Sequence, residues 1–600
     1  MPDWEGFSIR RIQERSMNMK IKKLSATLVA IAMLASLASC SGGDTSSAGG
    51  DTASGTDTSS QAGGADAVTD GNYGGLVALP DAGDPITYSI FVRDPGTTAS
   101  DDNPVIQKIE ELTGVSFEYE YLVGDLDTKL GTMVAGGDYP DVVFSPEGVP
   151  QFIESGAAIA LDDKIPQYGN LNAMYNQVMT YLTKEDGHVY TMPIYGYYFN
   201  DVTDEAPTFE CGYGFYIQKA VLEEAGYPEI NTVDEYFDLI EDYMEKHPDI
   251  DGVKTSGFEV LVDGWRNWAL LNPPQALMGM GNEGNITVDQ ETLETSFHQI
   301  SDTAHNYYLK LNEEYRKGVI TPETLTQTYD QYIAKITSGA VLGFFDQNWN
   351  FSNGENVLKT DGKYERTYVS VPLLAEGFEG GYIDKATGLP TADNGVMITT
   401  NCKDVDRLLT YYDWLLQREV QDYLNWGEEG VDWNYSEDGT DKVLTAERRA
   451  INLDTARLRD ETGYQLFNYA PRWVGIYKDD GMPVEPGASA AEYLAKQSEY
   501  DQSFLAGYDV EYPAELHGGA IERLDYYPVW ALTIEDGSPA AVSQQKMLDT
   551  ETRYYPRLIL AADEAEFESI WTEFVNEFNA VDLASYQEEI DRQIAAKMGS

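Results

Sequence analysis

Three consecutive stretches decide the fold: Ile86-Thr-Tyr-Ser-Ile-Phe-Val92, then Asn103-Pro-Val-Ile-Gln-Lys-Ile-Glu-Glu-Leu-Thr-Gly114, then Val115-Ser-Phe-Glu-Tyr-Glu-Tyr121. The outer two are rich in β-branched and aromatic residues, which suit a pleated surface. The middle one opens on Asp102-Asn103-Pro104, an N-cap followed by a proline in the first helical turn. Val105, Ile106, Ile109 and Leu112 then recur at helical spacing, and Gly114 can adopt the left-handed conformation that ends a helix. Strand, helix and strand in so short a span predict a βαβ unit with parallel strands and a right-handed crossover.

The alternation continues outward. A helix is expected from about Asp125 to Ala135, then the turn Gly136-Gly-Asp-Tyr-Pro-Asp141, then a buried strand Val142-Val-Phe144. Further strands are expected at Tyr213 to Tyr216, Val341 to Phe345 and Gly395 to Ile398. Gln218 to Ala225 reads as a helix closed by Gly226, and Thr232-Val-Asp-Glu235 is a capping box at the head of another. The pattern is that of an α/β sheet with helices on both faces. The last third reads as mostly helical, ending in amphipathic stretches near 564–578 and 584–598. No fixed-period repeat is present.

The N-terminal region is of another kind. Lys20, Lys22 and Lys23 precede an apolar run, Leu24 to Leu37, that closes on Leu37-Ala38-Ser39-Cys40. The run is shorter than the roughly 20 apolar residues of a bilayer-spanning helix and fits the core of a secretory signal. Residues 1–39 are read as that signal, with Met17 or Met19 as the start. Leu-Ala-Ser-Cys resembles a lipobox, which makes Cys40 the expected lipidation site. Residues 41–70 are almost wholly Ser, Gly, Thr, Asp, Ala and Gln, a composition that cannot offset its ordering entropy by burial. Residues 40–83 are therefore expected to form a disordered tether.

The body, about 84–600, is too long for one ordinary core and suits two lobes. The chain carries 101 acidic and 40 basic residues, a net charge of −61. Such a surface repels nucleic acid and anionic head groups. It weighs against a strongly anionic ligand, with a local basic pocket as the open alternative. Beyond Cys40 only Cys211 and Cys402 remain, and both are expected to be free, buried thiols.

Six stretches together resemble the extracellular solute-binding lipoproteins of carbohydrate ABC importers and, more distantly, maltose-binding protein. They are the opening βαβ, Met133 to Phe144, Leu161-Asp-Asp163, Asp186 to Pro193, Tyr213 to Leu222 with the Thr232 helix, and Asn394-Gly-Val-Met-Ile398 leading to Trp426-Gly-Glu-Glu-Gly430. The resemblance implies a two-lobed α/β fold with hinge crossovers and a helical C-terminal region. The first lobe would be 84–190 plus 390–445, the second 191–389 plus 446–600. It implies a monomeric binding protein, held by its lipid at the outer face of a bacterial membrane. That protein would capture a small solute, expected to be an oligosaccharide, between the lobes and deliver it to a permease.

Ligands of open α/β sheets lie beyond the carboxyl ends of the strands. That rule selects Arg93 and Asp94 after the first strand, Ser145 and Glu147 after Phe144, and the Asp393-Asn394 turn. Aromatic candidates follow in the second lobe: Tyr195 and Tyr197 after the Met192-Pro193 crossover, Trp265 and Trp268, and Trp349 beside Asp346 and Asn348. Trp349 matches a stacking tryptophan in the maltose-binding pattern. A pyranose offers an apolar face to a flat ring while polar neighbours take its hydroxyls.

Rival chemistries leave few marks. Asp249-Ile-Asp251-Gly252 faintly resembles a calcium loop, but Val253 and Thr255 break the pattern. No zinc motif, phosphate loop or nucleophile elbow occurs, so no metal, cofactor or catalytic residue is expected. A glycoside hydrolase would need two opposed carboxylates, which nothing singles out. A surface adhesin is the remaining alternative.

Overall fold

A computed structural model describes residues 76–80, 83–194, 202–203, 208–289, 292–378, 383–385, 393–517, 520–522, 529, 532, 534–535 and 537–598. The signal, Cys40 and most of the expected tether lie outside the described residues.

The opening unit forms as the pattern dictates. Strand β1 (Ile86–Val92) leads to helix α1 (Pro104–Thr113) and strand β2 (Val115–Tyr121). The two strands pair in parallel from Ile86 opposite Val115 to Val92 opposite Tyr121. Asn103 caps α1 by accepting from the amides of Val105 and Ile106, and Gly114 ends it at φ 66°. Helix α2 (Leu126–Gly136) and strand β3 (Val142–Phe144) follow, and β4 (Thr191–Pro193) completes the outward run.

The chain then builds a second sheet from β5 (Tyr213–Gln218), β6 (Ser256–Glu259), β7 (Val341–Gln347) and β8 (Tyr368–Val371). The Thr232 capping box forms in full, at the head of helix Val233–Lys246. Strand β9 (Gly395–Ile398) returns to the first sheet. Among the described residues, that sheet runs β2-β1-β3-β9-β4 and the second runs β8-β5-β7-β6. β9 is antiparallel to both of its neighbours, β3 and β4.

Two large cores follow from the two sheets. The first gathers Val92, Ile109, Phe144, Met192, Ile398 and Trp414. The second gathers Phe215, Phe237, Phe258, Phe345 and the apolar faces of the C-terminal helices Pro539–Ile559, Glu564–Phe578 and Leu583–Met598. No helix among the described residues is long and apolar enough to cross a membrane.

Three details depart from the sequence reading. Leu76 and Leu79, inside the expected tether, are buried in the first core. The Leu79 amide bonds the Leu112 carbonyl, and the Trp414 indole donates to the Val77 carbonyl. Leu466, Trp473, Tyr477 and Val484, placed in the second lobe by the resemblance, also join the first core. The Trp473 indole bonds the Leu416 carbonyl at 2.7 Å, and the Arg472 amide bonds Ile194 of the crossover. Helical periodicity marks a buried face without saying which of two cores receives it. Cys211 is buried as expected, but Cys402 is only half-buried; neither is in a disulfide.

The second core encloses one costly group. Glu551 is fully buried, neither carboxyl oxygen has a well-aligned hydrogen-bond partner, and burial pushes its pKa up to about 8 against an ordinary 4.5. Below pH 4.5 both folded and unfolded chains keep the proton. Between pH 4.5 and about 8 only the unfolded chain releases it, so stability falls as pH rises through that window. Glu551→Gln should therefore unfold at higher denaturant than the parent at pH 8, by a few kcal/mol, and the difference should shrink at pH 5.

Candidate functional site

The ends of β1 and β3 present the first lobe's polar groups. The Arg93 amide bonds the Phe144 carbonyl at 3.0 Å, which ties the two strand ends together. Its guanidinium is paired with the Glu147 carboxylate. Buried Ser145 donates to Glu147 at 3.3 Å. Asp94 is half-buried beside them, its carbonyl accepting from Leu122. Arg93 also lies 5.5 Å from the ring centre of Trp265, which belongs to the second sheet's side of the molecule.

Across from these groups is an aromatic surface. Trp265 sits in the short helix Gly264–Asn267, and Trp349 in the first turn of helix Asn348–Thr360, directly after β7. Their rings stack at 5.9 Å and 18°. They are 42% and 49% exposed, unusual for tryptophan in a well-packed protein. Trp268 is half-buried behind them, 6.3 Å from Trp349 and edge-on to Phe345. Arg266 lies against both Trp265 and Tyr329, at 4.5 and 4.1 Å, and donates to Asn350 at 3.0 Å.

Asp346, expected to meet ligand, is instead wholly inside, with no exposed surface. It accepts from the Tyr332 hydroxyl at 2.7 Å, the Asn350 amide at 3.0 Å and the Gln347 backbone amide at 2.7 Å. Burial raises its pKa to about 6, these hydrogen bonds opposing the rise. Its place is under the aromatic surface, fixing the turn from β7 into the Trp349 helix. Asn348 is half-buried in that turn, its amide bonding the Gly212 carbonyl at 3.0 Å. Gln347 accepts from the Trp349 indole.

The Asp393-Asn394 turn does not join the tryptophans. Asp393 is paired with Lys184 at 2.7 Å, and the Asn394 carbonyl accepts from Ile194 in the neighbouring crossover. Lys184 opens instead onto a cavity of about 1270 Å³. One wall is 149–154 and 177–186 of the first lobe. The other is formed by Leu532, Glu535 and residues 538–540 together with side chains of the last helix from Ser585 to Lys597. Arg592 bonds Glu185 across it at 2.9 Å. Lys597 packs on Tyr181, and burial, with the nearby Lys184, lowers its pKa to about 8. This wall was not legible in the sequence, because amphipathic C-terminal helices carry no mark of the partner they meet.

Tyr195 and Tyr197 lie outside the described residues. Trp426 and Trp433 are packing residues: both are buried, and the Lys442 ammonium lies 5.4 and 5.1 Å from their ring centres. In the loop that resembles a calcium site, Asp251 is paired with Lys363 at 2.8 Å, and Asp249 bonds the Gly252 amide.

Two sheets with their own cores, joined by paired crossovers and facing each other across an aromatic and polar surface, define a two-lobed solute-binding protein. The model of a family described as bacterial extracellular solute-binding protein matches residues 105–426, and the chain belongs to that family. It is 22% identical over 341 residues to the fructooligosaccharide ABC transporter substrate-binding protein FusA of Streptococcus pneumoniae, a match covering 55% of this chain and 60% of that one. It is 22% identical over 351 residues to the polygalacturonan/rhamnogalacturonan-binding protein YtcQ of Bacillus subtilis, covering 56% and 64%. The chain thus spans less than two thirds of the length of either relative. A solved structure of S. pneumoniae FusA, an EF-hand mutant with fructo-nystose, has the same fold. Its TM-score is 0.60 at 17% identity, over 86% of this chain and all of that one.

The two roles in the second lobe should separate on mutation. Trp349→Ala, at an exposed position, is expected to cost less than about 1 kcal/mol of stability. Asp346→Ala strands the Tyr332 hydroxyl and Asn350 amide in the interior and is expected to cost about 2–4 kcal/mol. Denaturant unfolding of the unliganded protein measures both.

Proposed function

We propose that this chain is the substrate-binding protein of an ABC importer and that it takes an oligosaccharide between its lobes. The observation that carries the reading is the exposed Trp265–Trp349 stack, met from the other lobe by Arg93. Exposed stacked rings cost hydrophobic free energy in water, and covering them with the apolar face of a sugar recovers it. Glu147, Arg93, Asp94 and Gln347 lie on or beside this surface and offer the mixed donors and acceptors that sugar hydroxyls need. Asn348 and buried Ser145 act at its margin. The relatives named for fructooligosaccharide and pectic glycans point to the same ligand class.

The remaining parts follow from this role. Binding draws the lobes together, and a permease reads the closed form. The protein acts as a monomer without catalysis and is held at the outer face of the membrane by lipid on Cys40.

A thermal-shift screen against oligosaccharides, monosaccharides and peptides tests the ligand class. A ligand at 100 times its Kd should add about 2.7 kcal/mol of stability. Trp349→Ala should weaken the ligand so found by about tenfold or more, as loss of a stacking anchor does. A response to peptides alone would refute the glycan reading, and turnover of the glycan would refute a binding role. Anchoring has its own test: Cys40→Ala should move the protein from the membrane fraction to the medium or periplasm, and persistence in the membrane would exclude lipidation there.

A further inference from the structure

We infer that Asn468 and Tyr469 form a sugar subsite on the first lobe, holding the glycan from the lobe opposite Trp265 and Trp349. The inference rests on the oligosaccharide reading above and extends it to a segment that follows none of the strands of the first sheet.

Asn468 ends the short helix Tyr464–Asn468 and Tyr469 follows it, in the segment that packs on the first core. Strands β1, β2 and β3 end level with one another, Val92 lying opposite both Tyr121 and Phe144. Side chains alternate along a strand, so these three residues point to one face at the carboxyl edge of the sheet. Tyr469 rests on that last row. Its ring centre is 5.3 Å from that of Phe144 and 6.0 Å from that of Tyr121, edge-on to both. Phe144 leads into Ser145, and its carbonyl accepts from the Arg93 amide at 3.0 Å. Burial, with Tyr121 and the Asp94 carboxylate nearby, raises the pKa of the Tyr469 hydroxyl. Tyr469 thus shares the strand ends with Asp94, Ser145 and Arg93, and Arg93 is the group that meets Trp265.

The other rings of the row are covered. Phe144 is 4% exposed, and Gly96 lies so close on Tyr121 that an added Cβ would be 2.5 Å from the ring. Tyr469 and Asn468 are only half-buried. The Asn468 Oδ1 accepts from Arg472 at 3.1 Å, and no described residue accepts from its Nδ2. The Arg472 amide bonds the Ile194 carbonyl, which holds this segment toward the crossover between the lobes. At the strand ends the Arg93 guanidinium is already paired with Glu147, and carboxylates only accept. Asn468 adds a donor beside them, and Tyr469 adds a flat ring. Sugar hydroxyls need donors as well as acceptors, and the apolar face of the sugar needs a ring. Contacts from both lobes are made together only when the lobes are close, so a ligand that uses this subsite favours the closed form.

Length-matched oligosaccharides, neutral (fructo-, gluco- and manno-) and galacturonic, should be titrated by calorimetry into the full chain and its variants. For each sugar the parent binds, Asn468→Ala is expected to weaken binding about fivefold or more, as loss of a hydrogen bond does. Tyr469→Leu should weaken it about tenfold or more, as loss of a stacking ring does. Tyr469→Phe keeps the ring and should lose less than Tyr469→Leu. Asn468→Ala gives up one hydrogen bond to Arg472 and should leave the unliganded protein unfolding close to the parent's midpoint, so it carries the test even if Tyr469→Leu fails to fold. Parent-like affinity in Asn468→Ala, with Tyr469→Leu either parent-like or merely unstable, would overturn the inference and leave the oligosaccharide reading intact. Binding of no oligosaccharide by the parent would refute that reading, and the inference with it.

Discussion

Gly395 lies so close to β4 that a Cβ there would come within 2.0 Å of the Met192 carbonyl oxygen. This contact is between the two strands that carry the chain out of the first lobe and back into it. β4 runs outward through Pro193, and β9 returns through Gly395, paired antiparallel with it. The chain can build a second core only if both passages fit side by side in one sheet, and the missing side chain lets them. Asp393 and Asn394, next in line, reinforce the crossing through Lys184 and Ile194. Arg472 bonds the Ile194 carbonyl and brings a third passage to the same place. Several short hydrogen-bonded strands meet at this crossing, and each core packs on its own side of it.

The site depends on a contrast between what is buried and what is exposed. Asp346 spends its hydrogen bonds on Tyr332, Asn350 and Gln347 and so fixes the turn that projects Trp349. Arg266, held against Tyr329 and bonded to Asn350, does the same for Trp265. Two tryptophans half open to water are thus seated on a fully engaged polar layer. Under the proposed role, rings fixed in this way would lose little conformational freedom on being covered by a sugar, and preorganisation of that kind adds affinity without new contacts.

Much of the fold was legible because its signals are local. Asn103, Gly114 and the Thr232–Glu235 box end or begin helices through bonds within a few residues, and the structure places them where the sequence does. The strands at 86–92, 115–121, 142–144 and 395–398 fall on the predicted residues. The candidate site was legible in part. The rule that ligands lie beyond strand ends selected Arg93, Ser145 and Glu147, and the structure sets Arg93 of that group against Trp265. Asp346, chosen for its place beside Trp349, turned inward instead. Tyr329 and the cavity wall of Arg592 and Lys597 were missed, since they reach the cleft only through contacts distant in sequence.

The sequence by itself determined the class of fold, the order of its elements, the apolar face of each helix and the acidity of the surface. These are fixed by periodicity, caps and charge, which act over a few residues or over the whole chain at once. Tertiary structure alone decided which core each buried face entered, as for Leu76, Leu79 and the 466–484 segment. It decided that Asp393 should pair with Lys184 and Arg592 with Glu185. Those outcomes depend on pairs of residues brought together from hundreds of positions apart, and no local pattern records them.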